Sequence, residues 1–180
     1  MGATMTTSAD LLADAFGRVQ EAVHEAVEGL TAEQSAARIN GTANSIAWLV
    51  WHLTRVQDDH IADVAEQEQV WFAEGFVNRF RLPLDSRAIG YGHTSDEVAS
   101  VKVEDPQLLL DYHDAVHRRA VAYVRSLKDA DYDRIVDRSW DPAVSLSVRL
   151  ISVVTDTLMH VGQAQYVRGV LERAAGEGQV

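Results

Sequence analysis

The chain has 180 residues, the usual size of one domain, and 47% of them are hydrophobic, which is enough for a buried core and excludes general disorder. Its 27 acidic residues outnumber the 16 basic ones, and the net charge of -11 disfavours binding to nucleic-acid backbones. The absence of cysteine excludes disulfides, thiolate metal ligands and a cysteine nucleophile.

Apolar residues recur three or four positions apart in four segments, a pattern that predicts amphipathic helices. The predicted helices span about Ser8–Gly29, Asn44–Glu68, Asp105–Ser126 and Leu146–Ala174. Ser8 is placed to cap the first helix, and Asp105 followed by Pro106 is a typical start for the third. No apolar run has the length of a signal peptide or a bilayer span, so we expect a cytoplasmic protein without membrane or nucleic-acid partners.

The segment Val70–Glu104, called here the crossover segment, differs from the helices that flank it. It contains several glycines and a proline, together with the aromatic residues Trp71, Phe72, Phe76, Phe80 and Tyr91. A connection of this length usually packs against the domain and often contributes to a functional site. The stretch Ile89-Gly90-Tyr91-Gly92-His93 within it is too short and isolated for a phosphate-binding loop. We therefore predict one all-α domain over residues 1–180, a four-helix bundle with one long crossover connection.

The fourth predicted helix carries three polar residues on an otherwise apolar face. Asp156 and His160 are four positions apart, and Gln163 follows three positions later. A divalent cation would satisfy a buried carboxylate and an imidazole together, and a buried polar group without a partner costs about 1–3 kcal/mol. His52, on the apolar face of the second helix, could supply a third ligand for Zn²⁺, Ni²⁺ or Fe²⁺. The alternative is that Asp156 only orients His160 and that Gln163 bonds a backbone carbonyl.

A rival pair of histidines lies on the third predicted helix. His113 and His117 are also four positions apart, and by spacing alone they are as good a candidate as Asp156 and His160. The alternative is a partly exposed helix face with two imidazoles that reach the solvent. His60 lies too far along the second helix from His52 to share an ion with it, and we expect it on the surface.

Two stretches resemble motifs of the DinB-like superfamily. Residues 45–53, Ser-Ile-Ala-Trp-Leu-Val-Trp-His-Leu, are similar to its second-helix motif, in which a metal-binding histidine follows a small and apolar run. Residues 156–169, which begin Asp-Thr-Leu-Met-His, are similar to its last-helix motif, in which two ligands are spaced by four. The most similar branch is that of the mycothiol-dependent transferases and isomerases.

This resemblance implies a bundle of unusual connectivity with a divalent metal, zinc before nickel or iron, between the second and fourth helices. It assigns the ligand roles to His52, Asp156 and His160, and it gives none to His113 or His117. Asp156 departs from the family pattern, because relatives more often have histidine or glutamate at that position. Gln163 is expected next to the ligands or the substrate, and the sequence identifies no other catalytic residue.

The resemblance also implies an activity. A bound cation lowers the pKa of a coordinated thiol, and because the chain has no cysteine the thiol would be a small molecule, mycothiol in this family. The expected function is a metal-dependent S-transferase that activates mycothiol as a metal-bound thiolate for attack on a small electrophile. The alternatives are a mycothiol-dependent isomerase, a metal hydrolase on the same site and a non-enzymatic metal-binding bundle. We expect the crossover aromatics to form a wall for the electrophile, and an exposed apolar face on the first or third helix would allow a homodimer.

Overall fold

The computed structural model describes residues 6–177, and most of these residues are helical. The α-helices in chain order are α1 Ser8–Val27, α2 Ala32–Ala36, α3 Ile46–Ala65, α4 Val70–Ala73, α5 Phe76–Phe80, α6 Ser95–Ser100, α7 Gln107–Ser126 and α8 Leu146–Glu177. Two short strands, β1 Ile135–Asp137 and β2 Val144–Ser145, pair in an antiparallel hairpin between α7 and α8. No helix in the described part of the chain is both long and apolar enough to span a bilayer.

The four long helices α1, α3, α7 and α8 form the predicted four-helix bundle. Both α1 and α3 pack against α7 and α8. The helices of two pairs, α1 with α3 and α7 with α8, therefore occupy diagonal positions in the bundle. This arrangement explains why the connections within these pairs are long, since each must cross an end of the bundle to reach the opposite corner. The crossover segment joins α3 to α7, which are neighbours.

The helix boundaries agree with the sequence prediction to within a few residues. The cap of α1 is Thr7 rather than Ser8, because the Thr7 hydroxyl accepts from the Asp10 N–H and the Asp10 carboxylate accepts from the Thr7 N–H. The Ser45 hydroxyl caps α3, close to the predicted start at Asn44, by accepting from the Trp48 N–H. The other end of α3 comes earlier than predicted, because Glu66 adopts a left-handed conformation with a φ of 53°.

Asp58 of α3 fastens the beginning of the crossover segment to the bundle. Its buried carboxylate accepts hydrogen bonds of 2.8 Å from the backbone N–H groups of Val70 and Trp71. It also accepts a hydrogen bond of 2.9 Å from the Tyr112 hydroxyl of α7. A buried carboxylate needs such donors, because it has lost its hydration and would destabilise the fold if no hydrogen bonds replaced it. The crossover segment therefore starts from a fixed point on α3.

Most aromatic residues of the crossover segment belong to the core. Trp71, Phe76 and Phe80 are buried, and their rings lie 4.9–5.8 Å from the Tyr112 ring. Phe72 packs against the same core from the side. The prediction that these aromatics form a wall for the substrate is therefore wrong, with the exception of Tyr91, which is exposed.

His113 is a core residue rather than a partly exposed one, which corrects the alternative considered for the third helix. The Thr54 hydroxyl donates to the Val50 carbonyl, so it accepts from His113 Nδ1–H at 3.1 Å. His113 Nε2 is buried and has no hydrogen-bond partner among the described residues. Burial is the largest cause that lowers the pKa of His113, which falls to about 3.

This shift makes a testable prediction about stability. Between its ordinary pKa of 6.5 and about 3, His113 is protonated in the unfolded chain but not in the folded one, so folding loses free energy as the pH falls. Between pH ~6 and ~4, this residue should lower the free energy of unfolding by up to ~1.4 kcal/mol per pH unit. The free energy of unfolding, measured with urea at several pH values in that range, should depend less steeply on pH in His113→Gln than in the wild type. Parallel curves would contradict the assignment.

Candidate metal centre

The structure brings together the three residues predicted as metal ligands, His52 of α3 with Asp156 and His160 of α8. One potential ligand atom from each lies within 4.8 Å of those from the other two. The rings of His52 and His160 are 4.7 Å apart between centroids, and their planes are inclined by 74°. Among the side chains that the structure describes, those of residues 6–174, no other group of three or more histidine, aspartate or glutamate residues meets this condition. We call it the His52–Asp156–His160 cluster.

Backbone carbonyls fix the orientation of both imidazole rings. His52 Nδ1 donates to the carbonyl of Ile89 in the crossover segment. His160 Nδ1 donates to the carbonyl of Asp156, one helical turn earlier, at 2.8 Å. A ring that carries its proton on Nδ1 presents an unprotonated Nε2, which is the form that binds a metal ion. Both histidines therefore have a free Nε2 for a shared ligand.

Asp156 provides the test of whether a cation fits this cluster. Its Oδ2 is buried and has no hydrogen-bond partner among the described residues, since the 3.4 Å separation from His160 Nδ1 is a close ionic contact without hydrogen-bond geometry. Burial opposes ionisation, but His160 lowers the pKa of Asp156 overall, so the carboxylate is charged at neutral pH. A buried charged oxygen without a donor is costly, and a divalent cation would satisfy it. Two imidazole nitrogens and this oxygen are a suitable donor set for such an ion.

The electrostatic environment differs between the two histidines. Burial lowers the pKa of His52, so this ring is neutral at neutral pH. The Asp156 carboxylate is the largest cause that raises the pKa of His160. A proton on His160 would therefore compete with a cation for the same carboxylate.

Aromatic rings hold His52 in place. The indole of Trp48, one turn earlier on α3, stacks on the His52 ring at 4.6 Å with an angle of 18°. The Tyr91 ring meets the His52 ring edge to face at 5.4 Å and 84°. These contacts restrict the imidazole to one orientation before any ligand binds, which is the preorganisation that a metal site requires.

The turn around Gly90 closes tightly over His52. A Cβ atom at Gly90 would collide with His52 Nδ1 and lie 3.0 Å from its Cγ. The φ of Gly90 is +103°, a conformation that residues with a Cβ rarely adopt. The buried guanidinium of Arg55 donates from Nε to the carbonyl of Ala88 at 3.2 Å, so a charged residue of α3 holds the turn that supplies the Ile89 carbonyl.

A cavity of about 250 Å³ adjoins Asp156. Its lining includes His60, which is half-buried, so the expectation of a surface histidine is wrong. Trp140, in the loop between β1 and β2, also lines it. Trp140 was not predicted from the sequence, because no helical periodicity extends into that loop.

The remaining candidates lie outside the cluster. Gln163 has an exposed side chain that makes no hydrogen bond to a described residue, and its role near the substrate stays a prediction.

Gly90 and the Ile89 carbonyl were also missed by sequence reasoning. The two glycines flanking Tyr91 were the available signal, since glycine often marks a close approach of the backbone to another group.

The comparisons with known proteins support the fold and show the family. A sequence model of the family described as mycothiol-S-transferase matches residues 11–173. A conserved protein from Enterococcus faecalis, known from its crystal structure, is 29% identical, with a TM-score of 0.86 over 91% of this chain and 96% of that one. YfiT from Bacillus subtilis, described as a probable metal-dependent hydrolase with an unusual four-helix bundle topology, is 17% identical, with a TM-score of 0.61 over 96% and 93%. A comparison with curated proteins found no match.

The close packing of Gly90 on His52 makes a prediction about metal affinity. A Gly90→Ala variant must displace the His52 ring or the Ile89 carbonyl, and disturbing the hydrogen bond behind a ligand typically costs 10–100-fold in metal affinity, so we expect a loss of about that size. Competition between the protein and a chromogenic zinc chelator measures it.

Gly92→Ala is the matched control for this variant. Gly92 also has a positive φ, +71°, so an alanine at this position introduces the same kind of backbone strain. No described neighbour lies within 4 Å of its Cβ position, so the variant causes no collision. Its zinc affinity should stay within about threefold of the wild type. Equal losses in the two variants would show that strain in the turn, and not contact with His52, sets the affinity.

Proposed function

Because this chain belongs to the mycothiol S-transferase family, we propose that it is a divalent-metal-dependent S-transferase that uses mycothiol as its thiol. The family assignment confirms the resemblance inferred from the two histidine-containing motifs. The observation that carries the proposal is the His52–Asp156–His160 cluster, in which both rings carry their proton on Nδ1 and one buried carboxylate oxygen has no partner in the part of the chain that the structure describes.

The proposed roles follow from the donor atoms. His52 and His160 would bind the ion through Nε2, and Asp156 would bind it through Oδ2. Three protein ligands leave at least one position open, and Zn²⁺ suits this donor set best, with Ni²⁺ and Fe²⁺ as alternatives. A cation held there lowers the pKa of a bound thiol, which is ~8.5 when free, so that the thiolate predominates at neutral pH. The chain has no cysteine of its own to compete for that position.

The chain's own residues would orient the reactants. The carbonyls of Ile89 and Asp156 keep the two rings fixed, and Trp48 covers one face of His52. The cavity beside Asp156 offers a place for the electrophile next to the thiol. In the transfer, the thiol sulfur bonds to the electrophilic carbon, the leaving group departs with its bonding electrons, and the thiol proton passes to solvent. Release of the thiol after rearrangement would give isomerisation instead.

A metal hydrolase is the second candidate. YfiT, which shares the fold, is described as a probable metal-dependent hydrolase. The same ligands could hold an ion that ionises water instead of a thiol. At 17% identity that likeness supports the fold alone, whereas the family match favours S-transfer.

The first prediction tests the metal. Untagged protein should contain about one divalent ion per chain by elemental analysis, and His52→Ala, Asp156→Asn and His160→Ala should each lose most of it, because each removes one of three donors. His24→Ala is the control, since His24 pairs with Asp114 elsewhere in the bundle. Metal content that is far below stoichiometric in the wild type, or unchanged in the three cluster variants, would contradict the proposed site.

A second prediction tests the reaction class. Loss of an alkyl halide such as monobromobimane should require added mycothiol and should fall at least ~100-fold in His52→Ala, as expected when a group that acts in the transition state is removed. Turnover that is independent of any thiol would identify a hydrolase. Metal that raises the melting temperature without any turnover would identify a binding protein.

A further inference from the structure

The cavity beside Asp156 is formed by four different parts of the chain. Val56 and His60 come from α3, Tyr91 from the crossover segment, Trp140 from the hairpin loop and Asp156 from α8. Its volume of about 250 Å³ is near the lower end for small-molecule sites and accommodates a molecule with a single ring. One wall therefore carries a proposed metal ligand, Asp156, and the rest of the lining is mostly apolar or aromatic, with His60, Arg149 and Ser152 as its other polar side chains.

Large apolar side chains at this cavity are exposed to solvent. Trp140 is 68% exposed and Tyr91 is 61% exposed. The other three tryptophans of the chain are at most 6% exposed. Burial of such rings would contribute a favourable free energy of about 25 cal/mol for each Å² of apolar surface removed from water. A flat apolar ligand in the cavity would cover both rings, and apolar surface gathered at a cavity is typical of a binding site.

The charges of the lining argue against an anionic ligand. Arg149 is the one basic residue among those that line the cavity, apart from His60. Its Nη2 donates to the Asp137 carboxylate at 2.9 Å and its Nη1 donates to His60 Nδ1 at 3.0 Å, while its buried Nε has no hydrogen-bond partner among the described residues. The positive charge of Arg149 is therefore already paired with the Asp137 carboxylate. Burial lowers the pKa of His60, which keeps this ring neutral and able to accept that hydrogen bond. Among the described side chains that line the cavity, the one permanently cationic group is thus already paired with a carboxylate, and Asp156 adds a negative charge of its own.

We infer that this cavity binds the electrophile of the S-transfer and selects uncharged molecules with a flat apolar body, with Trp140 as a specificity-determining residue. Aromatic α,β-unsaturated ketones are such molecules. Addition of a thiol to one forms a C–S bond at the β carbon and places the thiol proton on the α carbon, so no further reactant is consumed. This inference rests on the proposed function for the identity of the reaction, but the binding that it describes can be measured without a thiol.

The binding test uses the fluorescence of Trp140. Because the other tryptophans are buried, acrylamide should quench mainly Trp140 in the wild-type protein. Benzylacetone, a saturated and unreactive aromatic ketone, should at saturation lower the quenching slope at least about twofold, because it covers the exposed ring. Hydrocinnamate has the same ring on a chain of similar length but carries a carboxylate, and it should give no protection when both compounds are tested on protein stripped of metal with a chelator, so that no ion can coordinate the carboxylate. No protection by benzylacetone, or equal protection by both compounds, would overturn the inference.

The kinetic test uses benzylideneacetone as the electrophile. Trp140→Ala should raise its KM about tenfold, and Trp140→Phe, which retains a flat ring, should stay within about threefold of the wild type. The KM for mycothiol and the metal content should not change in either variant. Leu11→Ala is the control, because Leu11 is 65% exposed on α1 and does not line this cavity. An unchanged KM for benzylideneacetone in Trp140→Ala would overturn the inference.

The two tests separate this inference from the proposed function. If the wild type shows no thiol-dependent turnover, the proposed function fails, and protection of Trp140 by benzylacetone alone then decides whether the cavity is an apolar binding site. If turnover requires mycothiol, but benzylacetone does not protect Trp140 from acrylamide and Trp140→Ala does not change the KM for benzylideneacetone, then S-transfer stands and the cavity assignment is wrong.

Discussion

Two hydrogen bonds from histidine rings to backbone carbonyls determine what the centre of this bundle can do. By accepting the Nδ1 protons of His52 and His160, the carbonyls of Ile89 and Asp156 leave both Nε2 atoms unprotonated, and the same cluster contains a buried Asp156 oxygen that has no hydrogen-bond partner among the described residues. Without these bonds the rings could rotate or exchange tautomers, and the same three side chains would be an ordinary polar contact between helices. The proposed metal dependence and the proposed chemistry both follow from this arrangement.

The Ile89 carbonyl is in place because buried charges hold the crossover segment to α3. Asp58 binds the beginning of the segment through two backbone N–H groups, and Arg55 binds Ala88 just before the turn over His52. Buried ionic groups generally add little to stability relative to apolar residues of similar size. Here Arg55 and Asp58 lie on the same helix as His52, so the turn and the ligand that it orients are fixed to one rigid element.

The sequence predicts much of the fold but only part of the site. Helical periodicity locates the four long helices to within a few residues, and the spacing of four makes Asp156 and His160 neighbours. His113 and His117 have the same spacing and form no such cluster with a third acidic or histidine side chain among the described residues, because a third ligand depends on tertiary packing. Irregular segments provide the Ile89 carbonyl and Trp140, and their positions follow from contacts between distant residues.

The proposed metal site requires one cation bound to Nε2 of His52, Nε2 of His160 and Oδ2 of Asp156. Anomalous X-ray scattering from a crystal of the zinc-loaded protein would locate this ion. We expect one peak about 2.0–2.1 Å from both Nε2 atoms and about 2.0–2.2 Å from the carboxylate oxygen, with the Nδ1 contacts to the two carbonyls intact. A peak at Nδ1 of either ring, a peak beside His113 and His117 instead, or no peak between α3 and α8 would contradict it.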